Sequence, residues 1–370
     1  MPIYQSGFPQ VDDVDKWLVG IAGGPPNAYG WSKDVVKTYG INNDESITNA
    51  LVANEAGIAE WANIVAAGTL GDTKIAVNPV STGEKAVEEC LKKYNVSFDP
   101  STNFVYDSSN QWVLDQLSAP NGTGTNFGGL WAPSLYSAIK KWGMESMICN
   151  GKDAGVQIVG GFMVNNDAEG DMSQFELAAK GIAAHLKGIT YFKDPVYRDQ
   201  AKAYLNEFYV ENGFDALSPE ALDIEFSRPL YDLVEQQEML AKNEEGVSIL
   251  GTIFQDTVDF MVEGGILSTT LNAEDYLPET IMNWIASDMT LNMWTMTTEE
   301  SAPVSSDPPA PATDAPAPVP DATNDPPNPV SPPTESIPAS DPTNPPSGGS
   351  LAALAVPFGV GIFVLNYMFM

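Results

Sequence analysis

Lys74-Ile-Ala-Val-Asn-Pro-Val-Ser-Thr-Gly-Glu84 is the stretch whose reading decides the fold. Residues 74–78 form an apolar run of strand length, and Asn78-Pro79 turns the chain. Ser81-Thr82-Gly83-Glu84 then has the S-x-x-E form of a capping box, which opens a helix running to about Tyr94. Val87, Cys90, Leu91 and Tyr94 fall on one face of that helix, so Cys90 reads as a small buried hydrophobe. A helix start presents unpaired N–H groups and partial positive charge, which suit a carboxylate, sulfonate or phosphate. Ser81 and Thr82 add hydroxyls beside it, and the Gly83 amide belongs to the same corner. The plain alternative is that Ser81 caps its own helix through the Glu84 amide. The two readings are compatible.

The same unit recurs downstream. Residues 104–107 read as a strand, 110–117 as a short helix and 127–131 as another strand. Pro133 stands in the first turn of a helix ending near Trp142 and Gly143, and 156–164 is the last strand. Upstream, 17–23 is a short buried strand, Gly24-Pro25-Pro26-Asn27 a turn, and 47–67 a helix through Ile47, Leu51, Ile58, Trp61 and Val65. Strands alternating with helices at these lengths predict an α/β lobe with a largely parallel sheet. After Asp167 only helices follow: 171–187, 201–211, one opening at Ser218-Pro219-Glu220, and 247–263 ending at Gly264 in a left-handed cap. About 300 residues remain for folding, above the size at which one core divides, so two lobes are expected.

The tail is of a different kind. Residues 301–350 hold sixteen prolines and no Lys or Arg, the composition of an extended spacer. The last twenty residues, 351–370, carry no charge and are long enough to cross a bilayer. Ala339-Ser340-Asp341, a polar spacer and this apolar end also match a cleaved glycolipid-anchor signal, which is the favoured version. Residues 1–17 show no secretory leader, so either a leader has been removed or the sequence is a shortened form. The implied organisation is a partial first lobe at 1–70, a second lobe at 71–165, a helical return to the first lobe at 166–300, the stalk, and a transmembrane or anchor segment.

Composition narrows the function. Seventeen basic residues against 49 acidic ones give a formal charge of −32, which argues against nucleic acid as a partner. One histidine, His185, and two cysteines, Cys90 and Cys149, disfavour a Cys/His zinc site and a Ser-His-Asp triad. An oxidising compartment would permit a Cys90–Cys149 disulfide, and two buried thiols are equally compatible with the pattern. Asn95-Val-Ser97 and Asn121-Gly-Thr123 are glycosylation sequons. His185 lies near an apolar stripe and reads as structural. The acidic pairs Glu88-Glu89 and Glu244-Glu245 are adjacent, so they read as solvated faces. Trp131 ends a strand of an α/β lobe, where ligands enter such sheets; ordinary core packing is the alternative, and it is the reading given to Trp17, Trp61 and Trp112. Asn27 and Tyr29 follow the first strand and offer polar contacts from the first lobe.

Taken in order, the strand–capped-helix entry at 74–84, Gly129-Leu-Trp-Ala-Pro133, and the helices of 175–195 and up to Gly264-Gly265 resemble the type II periplasmic binding proteins. The resemblance covers about residues 70–290 and is to the branch that serves nitrate, sulfonate, taurine and thiamine-precursor importers. It implies a two-lobed fold and a membrane-tethered extracellular protein that captures a small nutrient in an interlobe cleft without covalent chemistry or a cofactor. Asn27, Tyr29, Ser81, Thr82, Gly83 and Trp131 are then the ligand-binding candidates. A transporter or endocytic receptor would be the partner. Algal cobalamin-acquisition proteins are similar in plan. The thiamine pyrimidine-precursor synthases share the fold but depend on a histidine and a cysteine-rich motif, which disfavours an enzyme here. The family's opening strand and helix are absent, which leaves the first lobe incomplete.

Overall fold

The computed structural model describes residues 18–107, 109–119, 123–211 and 214–296. Trp17, Asn121, the proline-rich stretch and the apolar tail lie outside them.

Eight strands build two sheets: β1 (Val19–Gly23), β2 (Val36–Asp44), β3 (Asn49–Ala53), β4 (Ile75–Val77), β5 (Phe104–Tyr106), β6 (Phe127–Trp131), β7 (Met147–Asn150) and β8 (Val159–Asn165). The first lobe has the order β1-β8-β2, and the second has β5-β4-β6-β3-β7. Every pairing in the first sheet is antiparallel. In the second, β4 runs parallel to β5 and β6, while β3 runs antiparallel to β6 and β7. The expectation of one largely parallel sheet is therefore corrected to two sheets, one antiparallel and one mixed.

Twelve helices of seven residues or more accompany the strands among the described residues. They are α1 (Gly24–Ser32), α2 (Glu55–Ala67), α3 (Thr82–Lys93), α4 (Asn110–Ser118), α5 (Ser134–Trp142), α6 (Met172–Lys193), α7 (Arg198–Glu211), α8 (Pro219–Glu225), α9 (Leu233–Leu240), α10 (Ile249–Glu263), α11 (Thr280–Ser287) and α12 (Met289–Met296). The first lobe's core gathers α1, α6 and α9–α11 over its sheet, with Trp31, Phe162, Ile182, Phe254 and Met282 buried together. Two cores flank the second sheet. One packs Val113, Leu130, Ile139 and Tyr209; the other packs Leu51, Ile75, Leu91 and Phe127.

The strand–helix entry at 74–84 forms as read, with Ser81 accepting from the Glu84 amide at 3.1 Å. Three other readings change. Gly24-Pro25-Pro26-Asn27 is the first turn of α1, because proline at the opening helical positions gives up no intrahelical bond. The helix expected over 47–67 divides into β3 and α2, with the Asn54 side chain capping α2. Ala50, Leu51, Val52 and Ala53 are fully buried, and a strand covered on both faces has no alternation to tell it from a helix. Gly264 stays right-handed at φ −71°, and Gly265 takes the left-handed conformation at φ 73°. Chain pairing also crosses the expected boundaries at residues 70 and 165: β3 belongs to the second sheet and β8 is the centre of the first.

Cys90 and Cys149 form a disulfide with an S–S distance of 2.08 Å, joining α3 to β7. His185 is buried against Phe162, and its Nε2 lies 3.2 Å from the Asn42 carbonyl. Burial lowers the imidazole pKa to about 4, partly offset by that carbonyl. Trp61 and Trp112 pack against the second lobe's cores, as read.

Two stability measurements follow. The bond closes a loop of sequence separation 59, for which chain entropy predicts about 4 kcal/mol. Cys90→Ala/Cys149→Ala should lower the unfolding free energy by up to that amount, with a lower urea midpoint and a steeper slope because the unlinked denatured chain exposes more surface. His185 has a folded pKa below its unfolded value, so stability falls as pH drops from 6.5 toward 4. The group accounts for a loss of about 3 kcal/mol over that window. His185→Gln should therefore cost stability at pH 7 and recover relative to wild type by about this amount at pH 4, read by denaturant titration at both pH values.

Candidate functional site

The corner between β4 and α3 is built from side chains that cap and from glycines that allow close approach. Ser81 Oγ donates to the Asn78 carbonyl at 2.6 Å while accepting from Glu84 N. Glu84 accepts from the Val80 amide, one residue beyond the usual reciprocal bond of a capping box. Burial pushes the Glu84 carboxyl up to about 7, and the hydrogen bonds from Val80 and Tyr106 restrain it. The Thr82 and Gly83 amides are in the first helical turn and have no intrahelical acceptor.

Gly83 rests on β6. A Cβ there would come within 3.0 Å of Trp131 Cε3, and one on Gly129 would come within 2.9 Å of the Gly83 carbonyl oxygen. These two glycines let the helix start lie directly on the strand end and place the indole against it. Asn110 donates to the Trp131 carbonyl at 3.1 Å and holds that end of the strand. Asn49 stands opposite Trp131 in the β3–β6 register.

The first lobe approaches from the other side. Gly23 caps α1 without a side-chain bond. A Cβ at Gly23 would stand 3.6 Å from Thr82 Cγ2 and 3.8 Å from Glu45 Oε2. Val80 belongs to the first lobe's apolar core, and a Cβ on Gly264 would lie 3.1 Å from its Cγ2. Its φ is +49°, an unusual conformation for a β-branched residue, held because the side chain is anchored across the lobes. The two lobes are thus closed on each other along α3 and α10.

Glu45 lies on the segment that crosses between lobes. Its amide donates to the Ile158 carbonyl at 2.7 Å, and the Ile158 amide donates to Ser46 Oγ at 2.8 Å. Arg228 Nε donates to the Asp44 carbonyl at 3.1 Å, and the same guanidinium pairs with Glu225 at 2.8 Å. Tyr136 and Tyr231 hydroxyls donate to Glu225 and Asp44. Burial raises the Glu45 carboxyl, while Arg228 and the Asn43 and Asn49 side chains pull it back.

Of the residues singled out in the sequence, Ser81, Thr82, Gly83 and Trp131 converge. Asn27 does not join them: it is buried, donates to the Ala22 and Gly23 carbonyls, and accepts from Thr38 at 2.5 Å. Its amide is spent on fixing the start of α1. Tyr29 packs on the first lobe's core with Lys33 Nζ 5.0 Å from its ring centroid. Asn95 is exposed in a left-handed turn after α3, a conformation asparagine tolerates without further cause. Glu45, Asn49 and Val80 were not anticipated. The run Asn42-Asn43-Asp44-Glu45 is polar and carries no motif, so nothing in its sequence marks it as buried. A cavity of about 690 Å³ opens beside Asn54, Leu117 and Trp142 and includes none of the converging residues. Among the described residues, no group of three or more His, Cys, Asp or Glu is placed to hold a metal ion.

No family model matches the chain, and no curated protein sequence does. Solved structures do. The periplasmic aliphatic sulphonate binding protein SsuA from Escherichia coli is 13% identical, covers 74% of this chain and 84% of its own, and has a TM-score of 0.50. The ligand-binding component of an ABC-type import system from Staphylococcus aureus, solved with zinc bound, is 13% identical over 75% and 84%, with a TM-score of 0.50. The alkanesulfonate-binding protein SsuA from Xanthomonas axonopodis pv. citri, bound to MOPS, is 14% identical over 74% and 85%, with a TM-score of 0.49. At such identities the likeness is one of fold. The chain has the two-lobed α/β fold of the type II periplasmic binding proteins.

Closure over the corner has a measurable cost. Lys85, 6% exposed, has no hydrogen-bond partner for its ammonium among the described residues, with Asp256 and Asp259 of α10 as its nearest attraction across the lobes. Burial is the main cause lowering its pKa; Asp256, Glu89 and Asp259 oppose the shift and Lys92 adds to it. The unfolded chain then binds more protons between the folded value and 10.5, so this residue's penalty is relieved as pH rises through that window. Lys85→Met should stabilise the protein by about 1–3 kcal/mol at pH 7. That gain should shrink toward pH 10 in denaturant titrations.

Proposed function

We propose that this protein is a solute-binding protein that closes two α/β lobes on a small molecule at the Thr82–Gly83 corner. The observation that carries the reading is convergence: the uncapped start of α1, the start of α3, the Trp131 indole and the Glu45 carboxyl meet where the lobes face one another. The start of α3 offers directed N–H groups, two of those at α1 being removed by Pro25 and Pro26, and the indole offers a flat apolar surface, the few polar groups and apolar wall that a solute site needs. A solute gripped from both sides favours the closed form because only that form makes both sets of contacts. The role is binding, without covalent chemistry.

The setting is part of the proposal. The proline-rich stretch and the uncharged final segment support tethering on a stalk at the outer face of a membrane, with uptake through a transporter or endocytic receptor. The disulfide is in keeping with an oxidising, extracellular location. Among the described residues no helix is long and apolar enough to cross a membrane, so the tether rests on the final segment alone.

Isothermal calorimetry with the full chain against alkanesulfonates, nitrate, an aminopyrimidine thiamine precursor, choline and cobalamin tests the reading. One solute is expected to bind at one-to-one stoichiometry. Gly83→Leu, which drives a side chain into Trp131, should weaken it at least tenfold while circular dichroism stays unchanged. Failure of every solute to bind would sink the proposal.

A further inference from the structure

Three buried carboxyl groups and one guanidinium share the floor of the corner: Asp44, Glu45 and Glu225 against Arg228. The guanidinium is committed to Glu225 at 2.8 Å and to the Asp44 carbonyl at 3.1 Å. Glu45 is 4% exposed; Arg228 attracts it from beyond ion-pair distance and the Asn43 and Asn49 side chains hydrogen-bond to it, so no cation pairs with it directly among the described residues. A Cβ on Gly23 would stand 3.8 Å from Glu45 Oε2 and 3.6 Å from Thr82 Cγ2, so the carboxyl lies beside the first lobe's helix start, close to where the α3 corner approaches it. An anion entering there would meet a carboxylate.

The neighbouring groups complete an acceptor set. The Asn43 and Asn49 side-chain oxygens, on residues 3% and 0% exposed, have no hydrogen-bond partner among the described residues. The Asn49 amide nitrogen is bound to the Glu45 main-chain carbonyl at 2.9 Å, and Asn49 faces Trp131 across the strand pair. A buried acceptor left without a donor is costly, and a ligand donor removes that cost. A carboxylate, amide oxygens without donors and an indole face are together the chemistry that holds a positively charged nitrogen.

We infer that the solute carries a protonated or quaternary nitrogen, seated against Trp131 with Glu45 as its counter-charge. This rests on the solute-binding reading and narrows it, setting aside sulfonate and nitrate. Binding places a cation beside the Glu45 carboxylate and leaves the two helix starts engaged by the chain itself.

The test is calorimetry on the full chain with choline, putrescine and a 4-aminopyrimidine, beside an alkanesulfonate and nitrate, repeated on Glu45→Gln. A cationic member should bind the wild type, and E45Q should weaken it at least tenfold. Because E45Q lies in the interlobe crossing and its folding is not assured, the wild type is also titrated with 3,3-dimethylbutanol, the uncharged carbon analogue of choline. Where choline binds, the analogue should be at least tenfold weaker. Sulfonate or nitrate binding to the wild type would overturn the inference and leave solute binding standing, as would equal affinity for choline and its analogue. If no probe bound either protein, solute binding itself would fall, and this inference with it.

Discussion

Everything in the arrangement depends on one short crossing, in which the chain leaves β2 at Asp44 and re-enters a different sheet at Asn49. A segment this polar can be buried only if its backbone groups find partners; the Ile158 carbonyl accepts from the Glu45 amide, Arg228 donates to the Asp44 carbonyl, and Ser46 Oγ accepts from the Ile158 amide in return. The consequence is geometric. Tying the crossings together fixes where the end of β3 stands, β3 fixes Asn49 opposite Trp131, and the indole fixes how closely α3 can approach. The carboxyl group on the floor is there because the crossing put it there.

What could be read from the residues alone was whatever is local. The Ser81 cap, the strand before it and the Gly129-Leu-Trp-Ala-Pro133 strand end are written in neighbouring residues, and all formed where expected. The non-local pairings were not readable. Nothing between 49 and 53 says that the segment runs between two antiparallel partners, and an entirely buried strand lacks the alternation that would have separated it from helix. Residues 156–164 were read as a strand, observed at Val159–Asn165, but not as the centre of the other lobe, because a partner near residue 20 leaves no trace in them. At the site the same division holds. Asn27 looked available because its loop is polar, yet tertiary contacts consume its amide. Glu45 was not singled out, because its neighbours in sequence are polar and form no motif, whereas in the fold it is buried beside Gly23.

The contact between the lobes is a balance of opposed terms. Apolar burial of Val80 in the far core favours closure. A left-handed valine and an ammonium with no acceptor among the described residues oppose it. Such a balance suits a protein whose two forms must lie close in free energy, so that a modest ligand preference can decide between them.

The staple at Cys90 fastens the middle of α3 to an edge strand, while Gly83 seats the front of the same helix on β6. The helix is thereby fastened at two points to the second sheet, so its start, the indole and the edge strand are held as one unit.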